Sequence, residues 1–256
     1  MSDAEVPPSP RLALITGASR GIGRALALAF AKAGVHVVAL ARTQGALTEL
    51  DDEIRAACPD RPAPATLAVC DLTDYAALDR LGQALFERWG RLDIFIGNAG
   101  VLGPLSPLAH IEPKQWDHVL AVNLSANWRL IRSLDPLLRA SSAGRAVFIS
   151  SSAAHRAPMR AYWGLYSASK AALDAMALTY AAETAQSSSV KVMLVNPGAL
   201  RTKMRASAMP GEDPLTLRSP DDLAPKVLEL CAPEWGQTGK IYDFPSDQVL
   251  TFQAPY

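Results

Sequence analysis

The stretch that decides the fold is Leu12-Ala13-Leu14-Ile15-Thr16-Gly17-Ala18-Ser19-Arg20-Gly21-Ile22-Gly23, followed by Arg24-Ala25-Leu26-Ala27-Leu28-Ala29-Phe30. Residues 12–16 are a short apolar run of the kind that forms a strand buried on both faces. From Ile22 onward, Ile22, Ala25, Leu26, Ala29 and Phe30 share one face of a helix predicted over residues 22–33. Three glycines line the turn and the start of the helix. Gly17 permits the tight turn, Gly21 lets backbone approach a pyrophosphate, and Gly23 lets the helix pack close to the sheet. The helix start then offers free N–H groups and a partial positive charge to phosphates. The spacing is GxxxGxG rather than GxGxxG, and in this strand–turn–helix setting it points to a dinucleotide site.

The same alternation continues along the chain. Apolar runs at residues 35–41, 66–70, 92–97, 145–150, 190–195 and 239–244 read as further strands. Segments 46–57, 75–89, 113–134, 165–184 and 220–230 carry helical spacing, with prolines at Pro113, Pro136 and Pro220 near helix boundaries. Short connections between strands and helices imply an α/β fold: a single-domain, doubly wound parallel sheet of Rossmann type, with about seven strands and helices on both faces. No linker, repeat or low-complexity tract divides it. Residues 1–10, acidic and proline-rich, read as a flexible tail and not as a signal peptide. In such a sheet the ligand lies outside the carboxyl ends of the strands, where strand order reverses.

Composition narrows the function classes. The 256 residues carry 25 Lys+Arg and 25 Asp+Glu, so no basic field attracts nucleic acid. Three cysteines (Cys58, Cys70, Cys231) at wide spacing suit a reducing compartment. The four histidines form no metal-binding pattern, and the longest apolar stretch is interrupted by Lys32, Gly34 and His36, so neither a metal nor a membrane is expected. A cytoplasmic location is expected.

The second strand ends Val38-Ala39-Leu40-Ala41-Arg42-Thr43, without the acid that would bind a ribose 2′-hydroxyl. Arg42, helped by Arg20, offers guanidinium groups suited to a 2′-phosphate, which favours NADP(H) over NAD(H). Two solvated surface arginines are the plainer alternative. Tyr166 and Lys170 stand four apart at the start of a predicted helix and so share a face. A carbonyl reductase must protonate an alkoxide, and a phenol near pKa 10 is poorly matched to neutral pH. An ammonium at ~4 Å, with an effective dielectric near 20, stabilises the phenolate by ~4 kcal/mol, which brings its pKa down by roughly three. Ser150, Ser151 and Ser152, ending the preceding strand, are candidates to hydrogen-bond a substrate oxygen.

Taken in order, residues 16–23, Asp71-Leu72, Asn98-Ala99-Gly100, Asn123, Tyr166-Ser167-Ala168-Ser169-Lys170 and Asn196-Pro197-Gly198 resemble the short-chain dehydrogenase/reductase family over residues 11–244. The resemblance implies Tyr166 as general acid/base, with Lys170 lowering its pKa and holding the nicotinamide ribose. It implies a serine that positions the carbonyl, and Asn123 supporting a water that links Lys170 to solvent. Gly17, Ser19, Arg20, Gly21, Ile22 and Gly23 would line the phosphates, and Arg42 with the adjoining Thr43 the 2′-phosphate. Asp71 and Leu72 would hold the adenine, Asn98, Ala99 and Gly100 the adenosine side and mid-cleft, and Pro197, Gly198 and Thr202 the nicotinamide end.

Two features depart from the family pattern. Position 153, where the serine is usual, is alanine, so Ser151 becomes the candidate and Ser152 the runner-up, with two extra residues in the loop 153–165. Tyr242-Asp243-Phe244-Pro245 replaces a glycine-rich turn near the last strand. Residues 202–214 and Trp163-Gly164 are also similar to a bacterial subgroup of oxidoreductases whose substrates are generally unassigned. A substrate flap near 201–220 is implied, with Met204 and Met209 as adaptable contacts; a simple helical connector is the alternative. The resemblance implies a homodimer or homotetramer through the helices of 113–134 and 165–184, where Ala168, Ala171, Ala172 and Ala175 permit close contact or simply pack the core. The expected activity is hydride transfer between NADP(H) and a small-molecule carbonyl or alcohol. A non-catalytic NADP-binding sensor or scaffold, and a dehydratase or epimerase with a tightly held cofactor, stay open. No substrate is singled out.

Overall fold

The computed structural model describes residues 10–155 and 159–252. Apart from Pro10, the expected flexible tail lies outside the described residues, as do residues 156–158 of the loop before Tyr166. β1 (Leu12–Thr16) sits inside an eight-stranded sheet with β2 (His36–Ala41), β3 (Ala65–Val69), β4 (Ile94–Gly97), β5 (Arg145–Ile149), β6 (Lys191–Asn196), β7 (Lys240–Asp243) and β8 (Gln248–Thr251). The order is β3-β2-β1-β4-β5-β6-β7-β8. Order therefore reverses between β1 and β4, and the carboxyl ends of these two strands, Thr16 and Gly97, flank the crevice where a ligand belongs.

Side-chain alternation along β1 builds both layers. Ala13 and Ile15 face a core shared with α1 (Gly21–Lys32), α2 (Gln44–Ala57) and α8 (Pro220–Leu230). Leu12 and Leu14 face the opposite core, shared with α3 (Tyr75–Trp89), α5 (Ala126–Ala140) and α6 (Gly164–Ser187). At the amino ends of the strands, buried Asp93 accepts from the Leu12 amide at 2.7 Å and from the Ser141 hydroxyl at 2.5 Å. That end of the sheet is closed by such contacts, leaving the carboxyl end to carry loops.

The sheet of about seven strands holds with one addition: β8 pairs antiparallel with β7 through a short turn. Its residues are mostly exposed, so it lacks the apolar run that marks the parallel strands. It is held at the turn by Asp247, at φ 53, whose carboxylate accepts from the Tyr242 hydroxyl at 2.6 Å. The helix expected over 113–134 is two helices, α4 (Pro113–Leu120) and α5, joined by a π-helical turn at Ala121–Ser125. α5 runs through Pro136 to Ala140 because Leu137 and Leu138, beyond the proline, are buried in the core. Among the described residues, no helix is long and apolar enough to cross a membrane.

Candidate active site

The glycine turn is pinned from below by β4. The Thr16 hydroxyl donates to the Ile96 carbonyl (3.3 Å) and accepts from the Asn98 and Ala99 amides, both at 3.0 Å. The Asn98 side-chain amide donates to the Thr16 carbonyl (2.8 Å) and the Gly17 carbonyl (3.4 Å). Asn98 thus spends its side chain on bracing the loop. Gly17 and Gly21 have φ of 65° and 55°, and a Cβ on Gly23 would stand 2.3 Å from the Gly17 carbonyl oxygen. That position accepts no side chain while the turn keeps its shape.

The amino terminus of α1 is left open. Arg20 makes no side-chain cap, and the first turn holds no acid. The nearest atoms to a Cβ on Gly21 belong to Thr202, at 3.5 Å, so the start of the segment 201–218 faces the loop. Ser19 and Ile22 are half-buried and Arg20 is exposed. Uncapped N–H groups, a glycine cradle and no competing carboxylate fit a pyrophosphate.

At the ends of β2 and β3, the Arg42 guanidinium lies 3.7 Å from the Asp71 carboxylate, both half-exposed or more. The Asp71 carboxylate also accepts from the Thr73 amide (2.9 Å) and hydroxyl (2.8 Å). The amide bond of Thr73 is the main reason its pKa sits below the usual range, with the hydroxyl and Arg42 adding to it. Thr43 precedes α2 with its hydroxyl uncommitted to the helix, and Leu72 is buried beneath the rim. Arg42 therefore has a carboxylate neighbour, and a phosphate would compete with it for the guanidinium.

On the other side of the crevice, Tyr166 and Lys170 are both buried on α6. The Lys170 ammonium donates to the Ile149 carbonyl at 2.7 Å and lies 5.9 Å from the Tyr166 ring centre. The three serines separate by partner. Ser150 donates to the buried carboxylate of Asp174, Ser151 accepts from the Ala153 amide at 3.2 Å and stands near enough to the Tyr166 phenol to draw its pKa down, and Ser152 opens a short 3-10 turn, Ser152–Ala154. Asn123 is fully buried in the π-helical turn. Its side chain accepts from the Val101 amide (2.8 Å) and donates to the Val101 carbonyl and the Ser169 hydroxyl, both at 2.9 Å. A Cβ on Gly100 would stand 3.3 Å from Asn123 Oδ1 and 3.6 Å from Lys170 Nζ, so all three residues meet at one point. A π-turn inserted there aims Asn123 inward, and such turns gather at functional sites.

Electrostatics here differ from the sequence expectation. Burial pushes the Tyr166 phenol up to about 12, against the pull of Ser151. Burial likewise pushes the Lys170 ammonium down to about 8. The expected three-unit lowering of the phenol by Lys170 assumed a half-solvated pair. Inside the fold, desolvation of the phenolate sets the direction, and the Lys170 ammonium is given to the Ile149 carbonyl. At neutral pH Tyr166 holds its proton and Lys170 its charge.

Trp163, just before α6, sets its ring edge-on to Tyr166 at 6.1 Å, whereas Tyr162 is exposed at φ 71°. The Asn196-Pro197-Gly198 turn is held by the residues that replace the glycine-rich turn. The Asn196 amide donates to Asp243 at 2.6 Å and accepts from the Gly198 amide at 3.2 Å, and Gly198 (φ 65°) lies so close to Pro245 that a Cβ would stand 2.5 Å from its ring. Pro197 is buried.

The segment expected as a flap leaves and returns through a bridge between Leu200 and Arg218. Thr202 caps the short helix α7 (Lys203–Ala208) by accepting from the Arg205 amide at 3.2 Å, and Arg205 grips Glu212 with two bonds of 2.6 Å. A cavity of about 270 Å³ opens against Thr202, Arg205 and Met209. Met204 is exposed and Met209 half-buried. The Arg205–Glu212 clasp and the Asp174 carboxylate escaped the sequence reading, since neither belongs to a local pattern.

The sequence profile of the short chain dehydrogenase family matches residues 11–213. The Escherichia coli (strain K12) oxidoreductase YciK is 38% identical over 234 residues, covering 91% of each chain. An NAD-dependent oxidoreductase of Mycobacterium tuberculosis (strain CDC 1551 / Oshkosh) is 36% identical over 205 residues, 76% of this chain and 73% of that one. Among solved structures, a short-chain dehydrogenase from Escherichia coli CFT073 in complex with NADPH superposes with a TM-score of 0.85 at 37% identity, covering 91% of this chain and 95% of that one.

Proposed function

Since the chain belongs to the short-chain dehydrogenase family, we propose that it is an NADP(H)-dependent oxidoreductase of a carbonyl/alcohol pair, with Tyr166 as its general acid/base. The observation that carries this reading is the meeting of Tyr166, Ser151 and Lys170 beside the open glycine cradle. When bound, the nicotinamide supplies or takes up the two electrons and hydrogen that interconvert carbonyl and alcohol. Gly17, Ser19, Arg20, Gly21, Ile22 and Gly23 would hold its phosphates, and Asp71, Leu72 and Ala99 would flank the adenosine. Gly100, Pro197, Gly198 and Thr202 would bound the nicotinamide end.

The chain's own residues do the rest. Ser151 donates to the substrate oxygen and holds it against the phenol, and Tyr166 passes its proton to that oxygen as negative charge develops there. Lys170, whose ammonium lies 5.9 Å from the Tyr166 ring centre, favours loss of that proton. Asn123 fixes the wall behind Lys170. A sensor without turnover has no use for a buried tyrosine, lysine and serine converging on one cleft, and this favours the catalytic reading.

The Arg42 guanidinium just beyond β2, and the absence of an acid there, support NADP(H) over NAD(H), as does the NADPH held by the Escherichia coli CFT073 relative. The test is NADPH and NADH oxidation over a panel of ketones, aldehydes and quinones. Turnover that needs NADPH is expected; tight NADPH binding with none across the panel would favour the sensor.

The serine assignment has its own test. Ser151→Ala is expected to lower kcat by about ten- to a hundredfold, and Ser152→Ala to leave it within about twofold. The reverse order would reassign the role.

We also propose that the outer face of α6 seats a second copy of the chain. Ala168, Ala171 and Ala175 are exposed there, so core packing does not account for them, and Trp128 is exposed on α5. Light scattering should give two or four times the mass of one chain, and a monomer at all concentrations would reject this.

A further inference from the structure

Behind the pair Tyr166 and Lys170 lies a third member of the same helical face. Tyr166, Lys170 and Asp174 are spaced four apart on α6, and each meets a consecutive residue at the end of β5 or just beyond it. Lys170 donates to the Ile149 carbonyl at 2.7 Å. Asp174 Oδ1 accepts from the Ser150 hydroxyl, and the Tyr166 phenol lies within the pull of the Ser151 hydroxyl. Asp174 is 4% exposed, and its Oδ2 has no hydrogen-bond partner. The nearest charged or titratable contact of that oxygen is His155 Nδ1, at 3.5 Å, on an exposed ring set edge-on to Phe252. A buried carboxylate that retains a free oxygen costs stability on its own account, so its surroundings must make use of the charge.

We propose that Ser150 and Asp174 are positioning residues for the reaction at Tyr166: with His155 they brace α6 against the end of β5 and set a fixed negative charge behind Lys170. The brace fixes the register in which Tyr166 reaches Ser151, because a slip of α6 would break all three contacts together. The charge acts on protons. Asp174 opposes the burial that lowers the pKa of Lys170, and it also favours the protonated phenol of Tyr166. Among the described residues, the titratable groups facing Asp174 are Lys170 and Tyr166 on its own helix and His155 from the turn after β5. The sign is the same for both catalytic groups: without the carboxylate, each loses its proton at lower pH.

This inference rests on the reductase reading for one of its two readouts. Reduction needs Tyr166 protonated and Lys170 charged, so kcat/KM falls at high pH. In Asp174→Asn, which keeps the shape and an acceptor for Ser150, the midpoint of that fall should drop by about one pH unit, and Asp174→Glu should restore it. NADPH binding, followed by its fluorescence without any substrate, should lose strength at correspondingly lower pH in Asp174→Asn, because a charged Lys170 holds the ribose more strongly than a neutral amine does. Ser150→Ala keeps the charge and loosens the brace; kcat should fall about three- to tenfold at every pH with the midpoint unmoved. An Asp174→Asn enzyme whose midpoint and NADPH-binding profile both stay in place overturns the inference while leaving the reductase reading intact. If wild type turns over no carbonyl, the reductase reading fails and the NADPH-binding profile alone decides this one. If Asp174→Asn does not fold, Ser150→Ala decides the brace, and an unchanged kcat overturns it.

Discussion

Tyr166→Phe lowers kcat for carbonyl reduction by about a thousandfold, while the Kd for NADPH stays within about twofold. The substitution removes one hydroxyl from a ring that is already buried and packed edge-on by Trp163, so the pocket keeps its shape. What disappears is the proton donor. Lys170 is a poor substitute, since its ammonium is committed to the Ile149 carbonyl, and Ser151 is far too weak an acid to replace a phenol. Burial holds the phenol in its protonated form, at about 12, which suits it to donate in the reductive direction at neutral pH. Stopped-flow and steady-state rates with the same carbonyl, alongside a fluorescence titration of NADPH, separate chemistry from binding. A rate within tenfold of wild type would remove Tyr166 as the acid.

Arg42→Asp reverses the cofactor preference: the ratio of kcat/KM for NADPH to that for NADH should fall by about a hundred- to a thousandfold. Charge-assisted hydrogen bonds to a phosphate contribute about 1.5–3 kcal/mol each, and the new carboxylate adds repulsion, reduced by solvent at this exposed rim. Asp71 amplifies the effect. In the wild type its carboxylate lies 3.7 Å from Arg42 and takes part of the guanidinium charge. In the variant, two carboxylates stand together where a 2′-phosphate must go, and either can accept from a ribose 2′-hydroxyl. High salt should narrow the difference, because the site is exposed. An unchanged ratio would return Arg42 to the role of a solvated surface charge.

How much of this was legible in the chain differs from element to element. The seven parallel strands appear within two residues of where their apolar runs place them, because a strand buried on both faces must be apolar along its length. β8 stayed hidden for the converse reason: an exposed edge strand carries no such run. Asn123 was recognised, but the π-helical turn that aims it inward was not, since Ala121–Ser125 reads as ordinary helix by periodicity. Asn98 was read as a cofactor contact; its amide is spent on the Gly17 loop. The alanines of α6 left core and contact readings open; in the fold Ala168, Ala171 and Ala175 are exposed and Ala172 is half-buried, which sets the core reading aside for the first three.

What the sequence determined by itself is what short-range chemistry imposes. The glycine spacing sets a turn that no side chain can enter, and the alternation of apolar runs with amphipathic helices sets a parallel sheet. The Tyr166–Lys170 spacing puts two functional groups on one helical face. The tertiary structure alone decided which of three consecutive serines meets Tyr166, which carboxylate stands behind Lys170, and whether the phenol's pKa falls or rises. Those outcomes depend on contacts between segments far apart in the chain and on how completely water is excluded. Proximity of Lys170 argued for a lowered phenol, and burial, which only the packed fold supplies, reversed the sign.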